Sequence, residues 1–262
     1  MAFVLATSIA ARRFDYDVLL LTEEEASAGM RRVATSGLAD AVLVLDVAPD
    51  DERVGLARKL PIPSVFVGVP NESEGLVCVD LDFEAAVGLA VDRLADAGHR
   101  SIGLVGHPAS AYRRSNFPPR VRAGFERRVR ERGLEPAVEL PQEGGSRGSG
   151  AQAAAGALLE RGVTALVLHC DDAAHLAVLD ELAARGLGVP ADVAVVSVGS
   201  TFDTGSMQPP LDVIPLIPQA SCDRAVDLAL QLLSDAPPEA GVYLIDPEYR
   251  EHGSVGPPGA AR

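Results

Sequence analysis

A strand–helix–strand unit between residues 163 and 199 constrains the fold more than any other feature of the sequence. Two short apolar runs, Ala165–His169 and Val193–Val198, flank a helical stretch at Ala173–Arg185, which follows an acidic turn. Runs this short and this rich in Val, Leu and Ala are typical of strands buried on both faces of a parallel sheet. Parallel strands need a crossover connection, and the helix supplies it. The unit therefore predicts an α/β fold.

The same alternation extends over nearly the whole chain. Further strands are predicted at Asp17–Leu21, Ala41–Asp46, Ser64–Gly68, Leu76–Asp80, Ser101–Val105, Ala137–Glu139 and Val242–Ile245. Further helices are predicted at Met1–Phe14, Phe83–Ala97, Pro119–Arg132, Ala151–Arg161 and Ser221–Leu233. This order indicates one or two doubly wound parallel sheets. The Gly/Ser-rich patch at 143–150 lacks the spacing of a phosphate-binding loop, so we interpret it as a surface loop.

Composition narrows the possible partners. The chain has 37 acidic and 23 basic side chains, a net charge of −14, which disfavours DNA binding through its own surface. Its three cysteines follow no disulfide or metal spacing and are typical of a reduced, cytoplasmic protein. The apolar N-terminus lacks the basic start of a signal peptide, and no apolar run is long enough to span a membrane.

Four tracts, in the same order, resemble the LacI/GalR family of bacterial transcription regulators. They lie at residues 76–106, 163–199, 209–233 and 247–258. The matching residues include Asp82, Gly98-His99-Arg100, Asp171-Asp172 at an Asn-Asp pair, Val189-Pro190 and Asp192-Val193. Four matches in order are far more specific than any one of them alone.

The resemblance implies an α/β fold of two Rossmann-like doubly wound lobes joined by three crossing strands, the type I periplasmic-binding-protein-like fold. The N-terminal lobe would be 1–81 plus 216–245, and the C-terminal lobe 82–215 plus 246–262. A small-molecule effector (a sugar, sugar phosphate or similar) would bind in the cleft between the lobes, and the chain would form a homodimer. Ligands of open α/β sheets collect at the carboxyl ends of the strands, which favours the same place.

Two features of the family have no counterpart in the sequence. No tract matches the helix-turn-helix headpiece, and Met1–Phe14 corresponds to the helix that follows the first strand of the N-terminal lobe. We therefore expect DNA binding to belong to an absent headpiece and the first strand of this lobe to be missing. A shortened sequence or a misplaced start codon would explain both.

Asp171 and Asp172 stand where a strand ends and a helix begins. A carboxylate there can cap the helix, because it accepts hydrogen bonds from free main-chain N–H groups. We interpret Asp172 as the cap, and by resemblance Asp171 as a ligand contact. An Asp in the place of the family's Asn cannot donate a hydrogen bond, which favours ligands with donor groups or positive charge.

Arg120 and Arg122 lie near the start of a helix opened by Pro118-Pro119, where an anion could bind. The family's ligand-binding Arg corresponds to Val121, between these two arginines. Either the local alignment slips by one residue, so that one of the two arginines contacts the ligand, or the specificity has changed. The remaining arginines of residues 112–132 are interpreted as a solvated helix face.

Gly199 stands where the family has a sugar-binding Asp, so the pocket could be larger, less polar or degenerate. The resemblance places Gly199 near the ligand, together with Asp82, Tyr112 and Ser200. For Asp82 a hinge-capping role is equally open. His169, Cys170, Asp172 and His175 fit no standard metal spacing.

The leading hypothesis is the effector-sensing and dimerisation domain of a LacI-type transcription regulator, without catalytic activity or a cofactor. No nucleophile–base or paired-carboxylate arrangement is readable. A solute-binding protein of a transport system, which shares the two-lobed fold, remains the alternative. A nucleotide-using α/β enzyme lacks a phosphate loop in this sequence.

Overall fold

The computed structural model describes residues 2–21, 26–144 and 148–259, which form two compact units. Unit 1 consists of Met1–Leu81, Arg113–Asn116 and Ile217–Ile245. Unit 2 consists of Asp82–Tyr112, Phe117–Leu216 and Asp246–Arg262.

Strands and helices alternate along the described residues, as the sequence predicts for an α/β fold. The strands are β1 (Val42–Val44), β2 (Ser64–Val67), β3 (Val77–Leu81), β4 (Ile102–Val105), β5 (Ala137–Glu139), β6 (Ala165–Leu168), β7 (Ala194–Ser200), β8 (Asp212–Pro215) and β9 (Gly241–Ile245). The helices are α1 (Ala2–Arg12), α2 (Ala26–Ser36), α3 (Arg53–Ala57), α4 (Phe83–Asp96), α5 (Ala111–Arg114), α6 (Phe117–Glu131), α7 (Ser149–Glu160), α8 (Asp172–Ala184) and α9 (Pro218–Leu232). Within the predicted loop at 143–150, residues 145–147 lie outside the described residues, and α7 already begins at Ser149.

Unit 1 contains a four-stranded parallel sheet in the order β1-β2-β3-β9. One sheet face, represented by Val65 and Val79, packs against α9 through Ala225 and Leu228. The other face carries a second apolar cluster that includes Phe66. α1 packs on α9, and the Cys222 thiol donates to the Phe3 carbonyl oxygen at 3.3 Å. Helices therefore cover both faces, as the Val-rich strands require.

The predicted strand at Asp17–Leu21 is wrong: these residues have no regular structure and pair with none of the described strands. Val18, Leu19 and Leu20 are 40%, 57% and 51% exposed. Apolar sequence marked the segment as a strand, but a strand exists only where a neighbour completes its hydrogen-bond ladder. Conversely, β8 was not predicted, since the prolines around it disfavour a central strand.

Unit 2 contains a five-stranded parallel sheet in the order β5-β4-β6-β7-β8. Val105 pairs with Leu168, and Leu168 pairs with Ser197, so three central strands end at about the same level. Residues that follow β4, β6 and β7 therefore meet at one edge of the sheet. We call this the carboxyl edge of unit 2.

Candidate functional site

Four aromatic rings meet at the carboxyl edge of unit 2. His107 follows β4, His169 follows β6, and Phe83 and Phe117 begin α4 and α6. The ring centroids of His107 and His169 are 4.8 Å apart, those of Phe117 and His169 5.6 Å, and those of the stacked Phe83 and Phe117 5.5 Å. We call these four residues the ring cluster. No sequence pattern predicts this cluster, because its members come from four separate places in the chain.

His169 is buried and has one partnered and one unpartnered ring nitrogen. Its Nδ1 lies 2.8 Å from the carbonyl oxygen of Val198, which can only accept, so Nδ1 carries the hydrogen and donates. Burial, together with the neighbouring His107, lowers the pKa of His169 to about 3, so the ring is neutral. Nε2 is therefore a lone-pair acceptor, and it has no partner among the described residues. A buried acceptor in this state favours a group that donates a hydrogen bond.

Gly199 lies directly against the ring cluster. Its φ is +71°, and a Cβ atom would lie 3.0 Å from Cε1 of Phe83 and 3.2 Å from Cε1 of His169. The left-handed backbone favours glycine, and a Cβ atom would fit only if the two rings moved by a few tenths of an ångström.

The structure separates the two candidate arginines. The Arg120 guanidinium lies 5.7 Å from the centroid of the Phe83 ring, in cation–π geometry, and so lies beside the ring cluster. Arg122 points elsewhere: its Nε donates to Oε1 of Glu126 at 2.9 Å, and its side chain is 45% exposed. Val121 between them is fully buried.

Tyr112, another predicted contact, lies near the Arg122–Glu126 pair. Partial burial and the charge of Glu126 raise the pKa of the Tyr112 hydroxyl, while the charge of Arg122 acts against them. The hydroxyl is therefore protonated at neutral pH and can donate or accept.

Asp171 is the N-cap of α8, and the prediction that Asp172 caps it is wrong. Oδ1 of Asp171 accepts from the Ala174 N–H at 2.8 Å, whereas Asp172 accepts from the adjacent Ala173 N–H. The cap must precede the first helical turn to reach its third N–H group, and only Asp171 does so. Asp171 is exposed, and its charge acts on His107 against the burial that lowers the pKa of that imidazole. Asp82 likewise caps α4, with Oδ1 accepting from the Ala85 N–H at 2.9 Å.

A buried polar network underlies the same edge. His175 Nε2 lies 2.9 Å from the Ser197 hydroxyl, which bonds in turn to the Ser200 hydroxyl. His175 Nδ1 lies 2.9 Å from the Asp171 carbonyl oxygen, and burial lowers the pKa of His175 to about 4. Ser200, predicted near a ligand, is 3% exposed and belongs to this network.

The structure thus brings Arg120 and Gly199 beside the ring cluster, and Asp171 close enough for its charge to act on His107. Arg122 of α6 pairs with Glu126 instead, and Tyr112 of α5 lies near that pair. Within the described ranges, no three His, Cys, Asp or Glu side chains are grouped closely enough to hold a metal ion. No helix in the described part of the chain combines the length and apolarity of a membrane span.

The chain is similar to a known binding domain and to transcriptional regulators. A model of the periplasmic binding protein-like domain matches residues 91–255. An uncharacterised HTH-type transcriptional regulator in the aml 5′ region of Streptomyces limosus is 31% identical over 220 residues, which are 80% of this chain and 59% of that protein. The chain spans about three fifths of the length of the curated relatives that it matches over most of its own length.

Two solved structures share the fold. A transcriptional regulator CelR–cellobiose complex has a TM-score of 0.80 at 22% identity, over 97% of this chain and 78% of that one. The dimeric Lac repressor with an 11-residue C-terminal deletion has a TM-score of 0.80 at 22% identity, over 98% and 93%.

Proposed function

The chain belongs to the family of periplasmic binding protein-like domains, as the effector-binding core of a LacI-type transcription regulator, and from this premise we propose how it recognises its effector. We propose that the carboxyl edge of unit 2 binds a small polar or anionic molecule, and that binding controls DNA contact made by a segment outside these residues. The ring cluster with Arg120 is the observation that carries the proposal.

The contacts favour a particular ligand chemistry. Nε2 of His169 accepts but cannot donate, so a ligand group that reaches it must be a donor such as a hydroxyl or amine. Aromatic rings favour an apolar face beside that donor. Arg120 adds a cation that suits a carboxylate or phosphate. A sugar or sugar phosphate offers these groups together, and one protein of this fold has been solved with cellobiose.

DNA binding and dimerisation are part of the same proposal. The net charge of −14 opposes direct contact with a polyanion, so a headpiece would carry the DNA-binding function. We expect a homodimer, since a C-terminally shortened Lac repressor of this fold has been solved as a dimer. Light scattering should give twice the chain mass; a monomer at micromolar concentration would contradict this part.

The transport-system alternative is disfavoured. Relatives at 31%, 31% and 30% identity, each matched over 80% of this chain, are named as HTH-type transcriptional regulators. We also propose binding without turnover. A ligand recovered chemically unchanged after long incubation is the expected result, and a modified product would oppose it.

The direct test is thermal unfolding with cellobiose, maltose, glucose 6-phosphate and small carboxylates. A ligand at about 100 times its Kd stabilises the folded state by about 2.7 kcal/mol. In a chain of this size that is a rise of several degrees in Tm. Arg120→Ala should abolish the rise. Arg122→Ala, the matched control from the same helix, should keep it because Arg122 pairs with Glu126 instead.

Two outcomes would contradict the proposal. Equal ligand-induced shifts in both variants would remove Arg120 from the site. No shift with any hydroxyl-bearing or anionic probe would oppose the ligand class itself.

A further inference from the structure

Two hydroxyls and one imidazole form a chain of hydrogen bonds with a fixed direction at the carboxyl edge of unit 2. The neutral His175 ring donates from Nδ1 to the Asp171 carbonyl oxygen, so its Nε2 can only accept, and the Ser197 hydroxyl donates to it across 2.9 Å. A hydroxyl carries one hydrogen, so Ser197 must in turn accept from Ser200. The chain therefore runs from the end of β7 to the main chain that caps α8.

This chain closes a bulge in β7. Side chains of a regular strand alternate between its two faces, so Ser197 and Ser200, three positions apart, would point to opposite sides. Val198 and Ser200 pair with consecutive residues of β8, however, so Gly199 is an extra residue, and its φ is +71°. The bulge brings Ser200 to the side of Ser197, and the hydrogen bond between them holds the bulge in that form.

The same bulge contains the carbonyl group that sets the tautomer of His169. Val198 lies between the two serines, and its carbonyl oxygen accepts from His169 Nδ1 at 2.8 Å. This contact keeps the hydrogen on Nδ1 and leaves Nε2 as an acceptor without a partner among the described residues. If the carbonyl oxygen moved away, the hydrogen could pass to Nε2, which would then donate instead of accept.

We propose that His175 is a positioning residue for effector binding. Through the two serines it holds the β7 bulge in the form that presents the Val198 carbonyl oxygen to His169, and so keeps Nε2 of His169 as an acceptor. The inference rests on the proposed function, because it assigns this Nε2 to the effector. His175 is fully buried, with the Phe202 ring 4.9 Å away, so it acts on the site through β7 and not by contact with the effector.

This arrangement determines which groups of the effector are accepted where. With Nε2 of His169 held as an acceptor, a hydroxyl or amine gains a hydrogen bond, whereas a carboxylate or phosphate oxygen at the same place meets a second lone pair. Arg120 lies beside the ring cluster and suits such an anionic group. Donor groups of the effector are therefore directed to His169 and anionic groups to Arg120.

The first test determines the tautomer of His169 without any ligand, by nitrogen-15 NMR at neutral pH. In the unchanged chain the tautomer with hydrogen on Nδ1 should be in about tenfold excess, and His175→Ala should reduce the excess to about twofold. The reason is that the Ser197 hydroxyl loses its acceptor and the bulge loosens. His175→Gln should restore the excess, since an amide oxygen can accept from Ser197 in place of the imidazole nitrogen.

Two further variants separate positioning from general packing. Ser200→Ala breaks the chain at its other end and removes only one oxygen atom, so it should shift the tautomer of His169 even where His175→Ala fails to fold. His99→Ala is the matched control, because His99 is also fully buried in unit 2 and has a partner for each ring nitrogen. It should lower the Tm and leave the tautomer of His169 unchanged.

The second test measures the binding of cellobiose and of glucose 6-phosphate by titration calorimetry. His175→Ala should weaken the binding of either probe by about tenfold, and His175→Gln should recover it. Failure of both probes to bind the unchanged chain would count against the proposed function for these ligands. The tautomer of His169 would still decide the role of His175, because it is measured without a ligand.

Three results would overturn the inference. One is the same excess of hydrogen on Nδ1 of His169 in the unchanged chain, in His175→Ala and in Ser200→Ala. Another is an equal shift of the tautomer in His99→Ala, since any loss of packing in unit 2 would then produce it. The third is a tautomer that changes in His175→Ala and does not recover in His175→Gln.

Discussion

Tyr249 donates its hydroxyl hydrogen to Oδ2 of Asp212 across 2.7 Å, and so ties the segment after β9 to the start of β8. The other carboxylate oxygen accepts from the main-chain N–H groups of His252, Gly253 and Ser254 at 2.7 to 3.0 Å. Burial would raise the pKa of Asp212, but these hydrogen bonds outweigh it and hold the pKa below its ordinary value. The resemblance tract at 247–258 thus has a structural role in unit 2.

Removing this carboxylate should destabilise the fold. Asp212→Ala removes the acceptor of the N–H groups of His252, Gly253 and Ser254 and should lower the free energy of unfolding by about 1.5–3 kcal/mol, measured by urea denaturation. Asp212→Asn, which keeps an acceptor oxygen, should cost less. The contribution of Asp212 is present above its unfolded pKa of about 3.8 and is lost as pH falls through the lower folded value. Equal losses in both variants would argue against the hydrogen-bond account.

The buried imidazoles should make stability fall in mild acid. His169 and His175 have folded pKa values of about 3 and about 4, below the ordinary value of 6.5. The unfolded chain binds protons first, so the free energy of unfolding should rise with pH from about 4 to 6.5 and then level off. Nitrogen-15 NMR should find His169 neutral with its hydrogen on Nδ1 at pH 6. The charged form at that pH, or hydrogen on Nε2, would contradict the assignment.

Gly199 and Gly37 form a matched pair for testing the ring cluster. Both have positive φ, but a Cβ atom on Gly37 would meet nothing within 4 Å, whereas one on Gly199 would press on Phe83 and His169. Gly37→Ala should cost about 1–2 kcal/mol for the left-handed backbone alone. Gly199→Ala should cost about 1–3 kcal/mol more, because it overpacks the rings. If both variants lose the same stability in thermal unfolding, the rings of Phe83 and His169 move aside at little energetic cost and the expected overpacking is absent.

Because Asp171 caps α8 and Asp172 does not, their substitution should affect stability differently. Asp171→Ala should lower the free energy of unfolding by about 1 kcal/mol, since Ala174 loses its acceptor. Asp171→Asn should keep most of the cap, and Asp172→Ala should change stability less than Asp171→Ala. If Asp172→Ala lost more stability than Asp171→Ala, Asp172 would be the cap, as interpreted from the sequence.

The sequence predicted the α/β class and most elements, since buried parallel strands and long amphipathic helices leave strong periodic patterns. α4 and α8 begin close to their predicted starts because Asp82 and Asp171 cap them. The failure at Asp17–Leu21 has a physical cause: the pattern reports apolarity, whereas a strand also needs a neighbour. β8 was not predicted because prolines argue against a strand in the sequence. They are tolerated here because β8 lies at the edge of the sheet.

The candidate site was harder to predict. Arg120 and Arg122 were both recognised as candidates from the sequence. Which of them lies at the site depends on which face of α6 packs against the rest of unit 2, and the sequence alone does not show this. His107 and Phe117 carried no motif and became neighbours of His169 only through the order of β4 and β6. The glycine at position 199 was visible in the sequence, whereas the two rings beside it were not.

The hydrogen bonds to Asp212 also affect how early in synthesis the chain can fold. Unit 1 needs α9 and β9, and unit 2 needs Tyr249 and residues 252–254 to satisfy a buried carboxylate. These segments follow the other strands and helices of both units along the chain. Neither unit can therefore complete its structure early in synthesis, although many multidomain proteins fold one domain at a time from the N-terminus. Unit 1 has to wait for residue 245, and unit 2 for residue 254.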